Sequence, residues 1–176
     1  MSPPTRIVVA DTSVLINFLH LDRLDLLEQL PGYAFCIPEH VLAEITRPEQ
    51  AASLKARLDA GRLQLAGMSE MPEIGSYDAL RRTLGDREAA SLALAECRGW
   101  FIACDEKRRF RREAEARIGA NRILNTVSLL VLAILEGLVT VEEADVFKDR
   151  LAERRFHIRV ASFADLLPND PELAKR

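Results

Sequence analysis

The stretch Ile7-Val8-Val9-Ala10-Asp11-Thr12-Ser13-Val14-Leu15-Ile16-Asn17-Phe18 decides the fold class. Its first four residues are apolar without a polar alternation, as a strand buried on both faces by helices requires. Asp11, Thr12 and Ser13 then offer N-caps to a helix whose apolar positions are Val14, Leu15 and Phe18. A strand passing straight into a helix, with an acid at the junction, is the unit of a parallel α/β sheet.

The rest of the chain repeats that unit. Helical spacing predicts a helix over 21–30, stopped by Pro31-Gly32, and a short buried strand at Ala34-Phe35-Cys36-Ile37. Pro38 opens a helix with Val41, Leu42 and Ile45 on its apolar side. A helix with Leu54 and Leu58 closes at Gly61 and precedes a strand at 63–66; 67–75 reads as a loop, and a short helix follows over 77–84. The segment from Glu88 is apolar on most sides and therefore central. Trp100-Phe101-Ile102-Ala103-Cys104 is the next buried strand, ending at Asp105, and a charged helix follows it. Residues 121–124, an apolar helix over 126–135 ended by Gly137, a helix over 142–153 and a turn at 163–167 complete the reading. The expectation is one α/β domain over residues 1–176 with a mostly parallel sheet covered on both faces, 140–176 being a C-terminal helical extension.

Composition bounds the function. With 176 residues and 48% hydrophobic content the chain buries a core. A net charge of -3 gives no global attraction to nucleic acid, so such a role needs a local basic patch. Cys36, Cys97 and Cys104 have no metal-ligand spacing and read as buried thiols of a reducing compartment. The start MSPPTR has no signal-peptide run and no apolar stretch is long enough for a bilayer, so a cytoplasmic protein with no membrane partner is expected.

Asp11 and Asp105 both follow strands directly, so in one parallel sheet both emerge at the carboxyl edge, where α/β sheets bind ligands. Glu88 opens a buried helix, and Glu44 borders the apolar stripe of its own. Four acids in one pocket raise one another's pKa, a cost that a divalent cation removes; oxygen donors without a Cys or His set favour Mg²⁺ or Mn²⁺. Asp11 and Asp105 are the leading ligands, Glu88 and Glu44 binding directly or through water. Thr12, Ser13 and Asn125 are supporting hydrogen-bonders, with Asp86 as second choice to Glu88. Each acid also has an ordinary use: Asp11, Asp86 and Asp105 as N-caps, Glu88 in a first helical turn, Glu44 on a helix surface.

Lys107, Arg108, Arg109, Arg111 and Arg112 follow Asp105 at once. Guanidinium groups suit phosphate, so carboxylates holding ions beside arginines holding a backbone point to nucleic acid. The plain alternative is a solvated helix balanced by Glu106, Glu113 and Glu115. His20, His40 and His157 are scattered and read as local packing or surface.

The segments VVADTSVLINF (8–18), IPEHVLAEI (37–45), LGDREAASLALAE (84–96) and FIACDEKRRFRREA (101–114), and more loosely 123–139, resemble PIN-domain nucleases, the superfamily that includes toxin ribonucleases of toxin–antitoxin pairs. The 84–96 segment is similar to the GExEA-like pattern of one subgroup. The resemblance implies a three-layer α/β/α sandwich, Mg²⁺- or Mn²⁺-dependent cleavage of RNA, Asp11, Glu44, Glu88 and Asp105 as catalytic acids, a homodimer and an antitoxin partner. Asp86 stands where the subgroup often has Glu, and Glu88 where Asp is more usual. Competing readings are a catalytically inactive RNA- or protein-binding module and a phosphatase using Asp11; the latter lacks a second Asp two residues on, where Ser13 stands.

Overall fold

Five parallel strands form the sheet of the computed structural model, which describes residues 5–106 and 108–168. Strand β1 (Arg6–Ala10) feeds α1 (Thr12–Leu21), and α2 (Asp25–Gln29) leads to β2 (Tyr33–Pro38). Helices α3 (Glu39–Leu42) and α4 (Pro48–Asp59) precede β3 (Gln64–Ala66), and α5 (Met71–Leu80) and α6 (Asp86–Arg98) precede β4 (Phe101–Ala103). Then come α7 (Arg109–Ile118), β5 (Ile123–Leu124), α8 (Thr126–Leu135) and α9 (Val141–Glu153). The order across the sheet is β3-β2-β1-β4-β5. The chain therefore reverses its direction of travel between β1 and β4, the position where a crevice opens at the carboxyl ends of the strands.

Alternation along the strands splits the interior into two cores. Val8, Ala10, Phe35, Ile37 and Ala103 face one side and pack with Val14, Leu15 and Phe18 of α1, Leu129 and Leu130 of α8, and Phe147 and Leu151 of α9. Val9, Cys36 and Ile102 face the other and pack with Ala89, Leu92 and Ala93 of α6 and Phe110, Ala114 and Ile118 of α7. The strands are apolar throughout because each face meets a helical layer. The result is a three-layer α/β/α sandwich with a parallel central sheet, as expected.

Four local expectations are corrected. The helix expected over 21–30 is confined to Asp25–Gln29: α1 continues to Leu21 and stops at Asp22, a left-handed residue whose N–H returns to Leu19 and Phe18 carbonyls. The loop expected over 67–75 is largely helix α5, because Glu73 accepts the backbone N–H groups of Ser69 and Glu70 at 2.8 and 3.2 Å and nucleates it across Gly75. The helix expected to carry Glu44 and Ile45 ends at Leu42, and Glu44 and Ile45 lie in the turn that follows, where their N–H groups return to the Val41 and Leu42 carbonyls at 3.1 and 3.3 Å. Of the three thiols, Cys36 and Cys104 are buried but Cys97 is exposed. No helix among the described residues is long and apolar enough to cross a membrane.

Candidate functional site at the carboxyl edge of the sheet

Asp11 leaves β1 at the crevice and caps α1, its carboxylate accepting the Ser13 N–H at 3.4 Å and the Ser13 hydroxyl at 3.1 Å. It is only 5% exposed. The wholly buried Ser91 hydroxyl of α6 donates to its other oxygen at 3.3 Å and lies 3.3 Å from His40 Nε2. The Ser91 hydroxyl has one proton, so while it donates to Asp11 it can only accept from His40 Nε2. Burial pushes the His40 imidazole pKa down, against the pull of Asp11 and Glu44 upward.

Asp105 emerges at the same edge but on the opposite side of the sheet. Ala10 pairs with Ala103, so Cys104 is level with Asp11 and Asp105 lies one residue beyond it. Strand alternation then sends Asp105 toward the α1–α8 layer while Asp11 reaches α6. Thr126 donates its N–H and hydroxyl to Asp105 at 2.9 and 2.6 Å, and Asn17 donates at 3.0 Å. Burial raises the Asp105 pKa, those hydrogen bonds oppose it, and Asp11 adds to the rise. Ser13 joins the two acids, because the hydroxyl that donates to Asp11 also accepts the Asp105 N–H at 3.0 Å.

A cleft of about 310 Å³ opens over this edge, lined by Asp11, Thr12, Ser13, Gly85, Arg87, Glu88 and Glu106. Glu88, in the first turn of α6, accepts the Gly85 N–H at 3.1 Å and remains on the cleft wall. Glu44 stands one step behind it: Thr12 donates to its carboxylate at 2.5 Å and Arg87 pairs with the same oxygen at 2.7 Å. Asp86 is outside, 69% exposed and 3.6 Å from the Arg81 guanidinium. The structure thus brings Asp11 and Glu88 into one cleft, ties the Asp105 backbone to it through Ser13, and holds Glu44 through Thr12 and Arg87.

Sequence reasoning missed Glu106, counted there as balance for the arginines. It lines the cleft, and its pKa is raised by burial first and then by Glu88, Asp11 and Asp105. Its position directly after Asp105 at a strand end was the available signal. Ser91 was equally legible, three residues after Glu88 on one helix face, as was Asn17, four after Ser13. His40, read as packing or surface, belongs to this neighbourhood.

Of the basic run, Arg108 and Arg111 line a second cavity of about 470 Å³ together with Asp105 and Glu106. Arg109 instead donates to the Thr83 carbonyl at 2.9 Å, Arg111 also pairs with Glu115 at 2.6 Å, and Arg112 is exposed. Lys107 lies outside the described residues. Asn125 borders the same cavity, but its side-chain oxygen is committed to capping α8 through the Ser128 N–H at 2.8 Å.

The acids supply oxygen donors only; the Glu106 pKa is raised by burial first and then by the neighbouring acids, and a hard divalent cation would relieve that second, repulsive part. Their chemistry fits such an ion. Among the described residues, however, no three Asp, Glu, His or Cys side chains are gathered as an ion requires. Asp105 is held by Thr126 and Asn17, and Glu44 by Thr12 and Arg87, so of the four expected ligands only Asp11 and Glu88 line the cleft.

A family model described as "PIN domain" (DUF3368) matches residues 7–170. Among solved structures, the crystal structure of PAE2754 from Pyrobaculum aerophilum is similar at 16% identity and a TM-score of 0.48, covering 73% of this chain and 90% of that one. No curated protein matches.

Proposed function

Because the chain belongs to the PIN-domain family, we propose that it is a metal-dependent endoribonuclease whose centre is the cleft at the β1–β4 edge. The observation that carries this reading is the convergence of Asp11, Glu88 and Glu106 on one cleft, with the Asp105 backbone joined to it through Ser13, at the point where the sheet order reverses. Asp11, Glu88, Glu106 and Asp105 would hold Mg²⁺ or Mn²⁺. Such an ion, when bound, supplies an activated water and neutralises charge on a phosphodiester in in-line displacement. Ser13 fixes the Asp11 carboxylate and the Asp105 backbone relative to each other, and Ser91 fixes the second Asp11 oxygen. Thr12 and Arg87 hold Glu44 ready to orient a water.

The test is cleavage of a panel of RNAs with Mn²⁺ or Mg²⁺, comparing the wild type with Asp11→Asn. Equal cleavage by both would sink the mechanism. No cleavage by a folded wild type across the panel would favour an inactive binding module. A toxin role, an antitoxin partner and a homodimer are narrower forms of the reading that rest on the resemblance; coexpression with the neighbouring gene and a solution mass measurement test them.

A further inference from the structure

We propose that the segment 154–160, which follows α9, forms with Arg108 and Arg111 a basic track that seats a single RNA strand beside the acidic cleft. The proposal rests on the nuclease reading above and assigns its substrate path. Arg154, Arg155, Phe156, His157 and Arg159 line a cavity of about 460 Å³ that reaches Ser13, Asn17, Asp105 and Glu106. Phe156, His157 and Arg159 are shared with the 470 Å³ cavity of Arg108 and Arg111. Glu106 borders both cavities and the acidic cleft, so the three spaces are adjoining stretches of one groove. Its acidic end suits cations and its guanidinium end suits phosphates, so a strand lying along it would present a phosphate at the junction.

Among the described residues, Arg108, Arg154, Arg155 and Arg159 form no ion pair, although Asp105 and Glu106 border the same cavities. Within the described residues their charge is therefore not spent on a carboxylate. Two of these residues also sit where a non-glycine side chain is disfavoured: Arg108 has φ 59° and Arg155 has φ 65°. Arg155 follows the end of α9, where the Phe156 N–H returns to the Leu151 carbonyl at 2.9 Å, a cap that normally takes glycine. The Arg155 side chain is exposed on the groove wall.

Apolar lining selects the form of the nucleic acid. Phe156, Val127 and Ile158 are half-buried on the groove wall beside the guanidinium groups. An unpaired base can stack on such a surface, whereas duplex bases are already stacked on one another. His20 lines the 460 Å³ cavity beside Arg154 and Arg155.

The test measures binding of a fluorescent single-stranded oligouridylate of about 12 nucleotides and a duplex of equal length, in EDTA, to the otherwise intact protein. The variants are Arg155→Gly, the triple Arg154→Ser/Arg155→Gly/Arg159→Ser, and a control Lys55→Ser/Arg62→Ser on α4 and the turn after it. Single-strand binding is expected to fall more than tenfold in the triple variant, with the salt slope reduced by about 2, as three phosphate contacts at ~0.7 each require. Arg155→Gly alone should weaken binding while its melting temperature stays level or rises, because glycine relieves the backbone. The control should bind like the wild type. Unchanged binding by the triple variant, equal loss in the control, tighter binding of the duplex, or no binding by the wild type would each overturn the track. Cleavage is scored separately with Mn²⁺: a protein that binds through the track but never cleaves refutes the nuclease reading and leaves the track standing.

Discussion

The buried hydroxyl of Ser91 on α6 donates a hydrogen bond to Asp11 at the end of β1, 3.3 Å away across the edge of the sheet. It fixes one carboxylate oxygen while Ser13 fixes the other, so the acid that leaves β1 is held from two layers of the sandwich.

Ser91→Ala removes that contact without adding volume. Stability should fall by about 1 kcal/mol, and cleavage of RNA by roughly 10-fold, as with other groups that orient a ligand. Loss of stability with an unchanged rate would make Ser91 a packing residue only.

Glu88 and Asp86 separate cleanly. Glu88 lines the cleft, whereas Asp86 is exposed beside Arg81. Glu88→Gln should reduce cleavage roughly 100-fold and Asp86→Asn should change it less than about twofold. The reverse ranking in a single-turnover assay would reassign the third acid.

Metal addition should stabilise the fold independently of any substrate. At about ten times its dissociation constant Mn²⁺ adds ~1.4 kcal/mol, which raises the melting temperature by about 4 °C for a chain of this size. Asp11→Asn should lose that gain. Glu106→Gln should melt slightly higher than the wild type without metal, because its repulsion with Glu88, Asp11 and Asp105 is gone, yet gain less with metal. An equal metal-induced shift in both variants would remove these acids from the ion site.

Away from the cleft, Glu73 is buried and pairs with Arg98 at 2.5 Å, and Arg98 stacks 4.8 Å over the Trp100 ring. The Arg98 guanidinium, foremost, and the Ser69 and Glu70 N–H groups hold the Glu73 carboxyl at about 2, below its usual 4.5. A carboxylate with a depressed folded pKa stabilises the fold above its unfolded pKa and loses that contribution as pH falls through the folded value. Glu73→Gln should therefore cost about 3 kcal/mol at neutral pH, and the difference from the wild type should shrink between pH 4.5 and about 2. Chemical denaturation across that range reads it directly, and a pH-independent difference would show that shape rather than charge matters at this site.

Much of the fold was legible because strands and helices are encoded locally. The apolar run 7–10, the acid at its end and the caps of α1 specify a strand that turns into a helix, and the repetition of that unit specifies a parallel sheet. Local signals misled where a cap outweighed composition, as Glu73 nucleates α5 through a glycine-containing stretch, and where periodicity ran past the end of an element, as α3 stops at Leu42 before Glu44.

The sequence by itself determined the βα order, the two strand-end acids Asp11 and Asp105, and the likeness to PIN domains that the family match bears out. Only the tertiary structure decided which side of the sheet each acid faces, because that depends on the pairing of Ala10 with Ala103 and a one-residue offset beyond it. It also decided that Glu88 and Glu106 share the cleft with Asp11 while Asp86 does not, and that residues 154–159, far along the chain, return beside Asp105. Local pattern carries the period of an element. Register and layer packing bring distant side chains together, and no local pattern contains them.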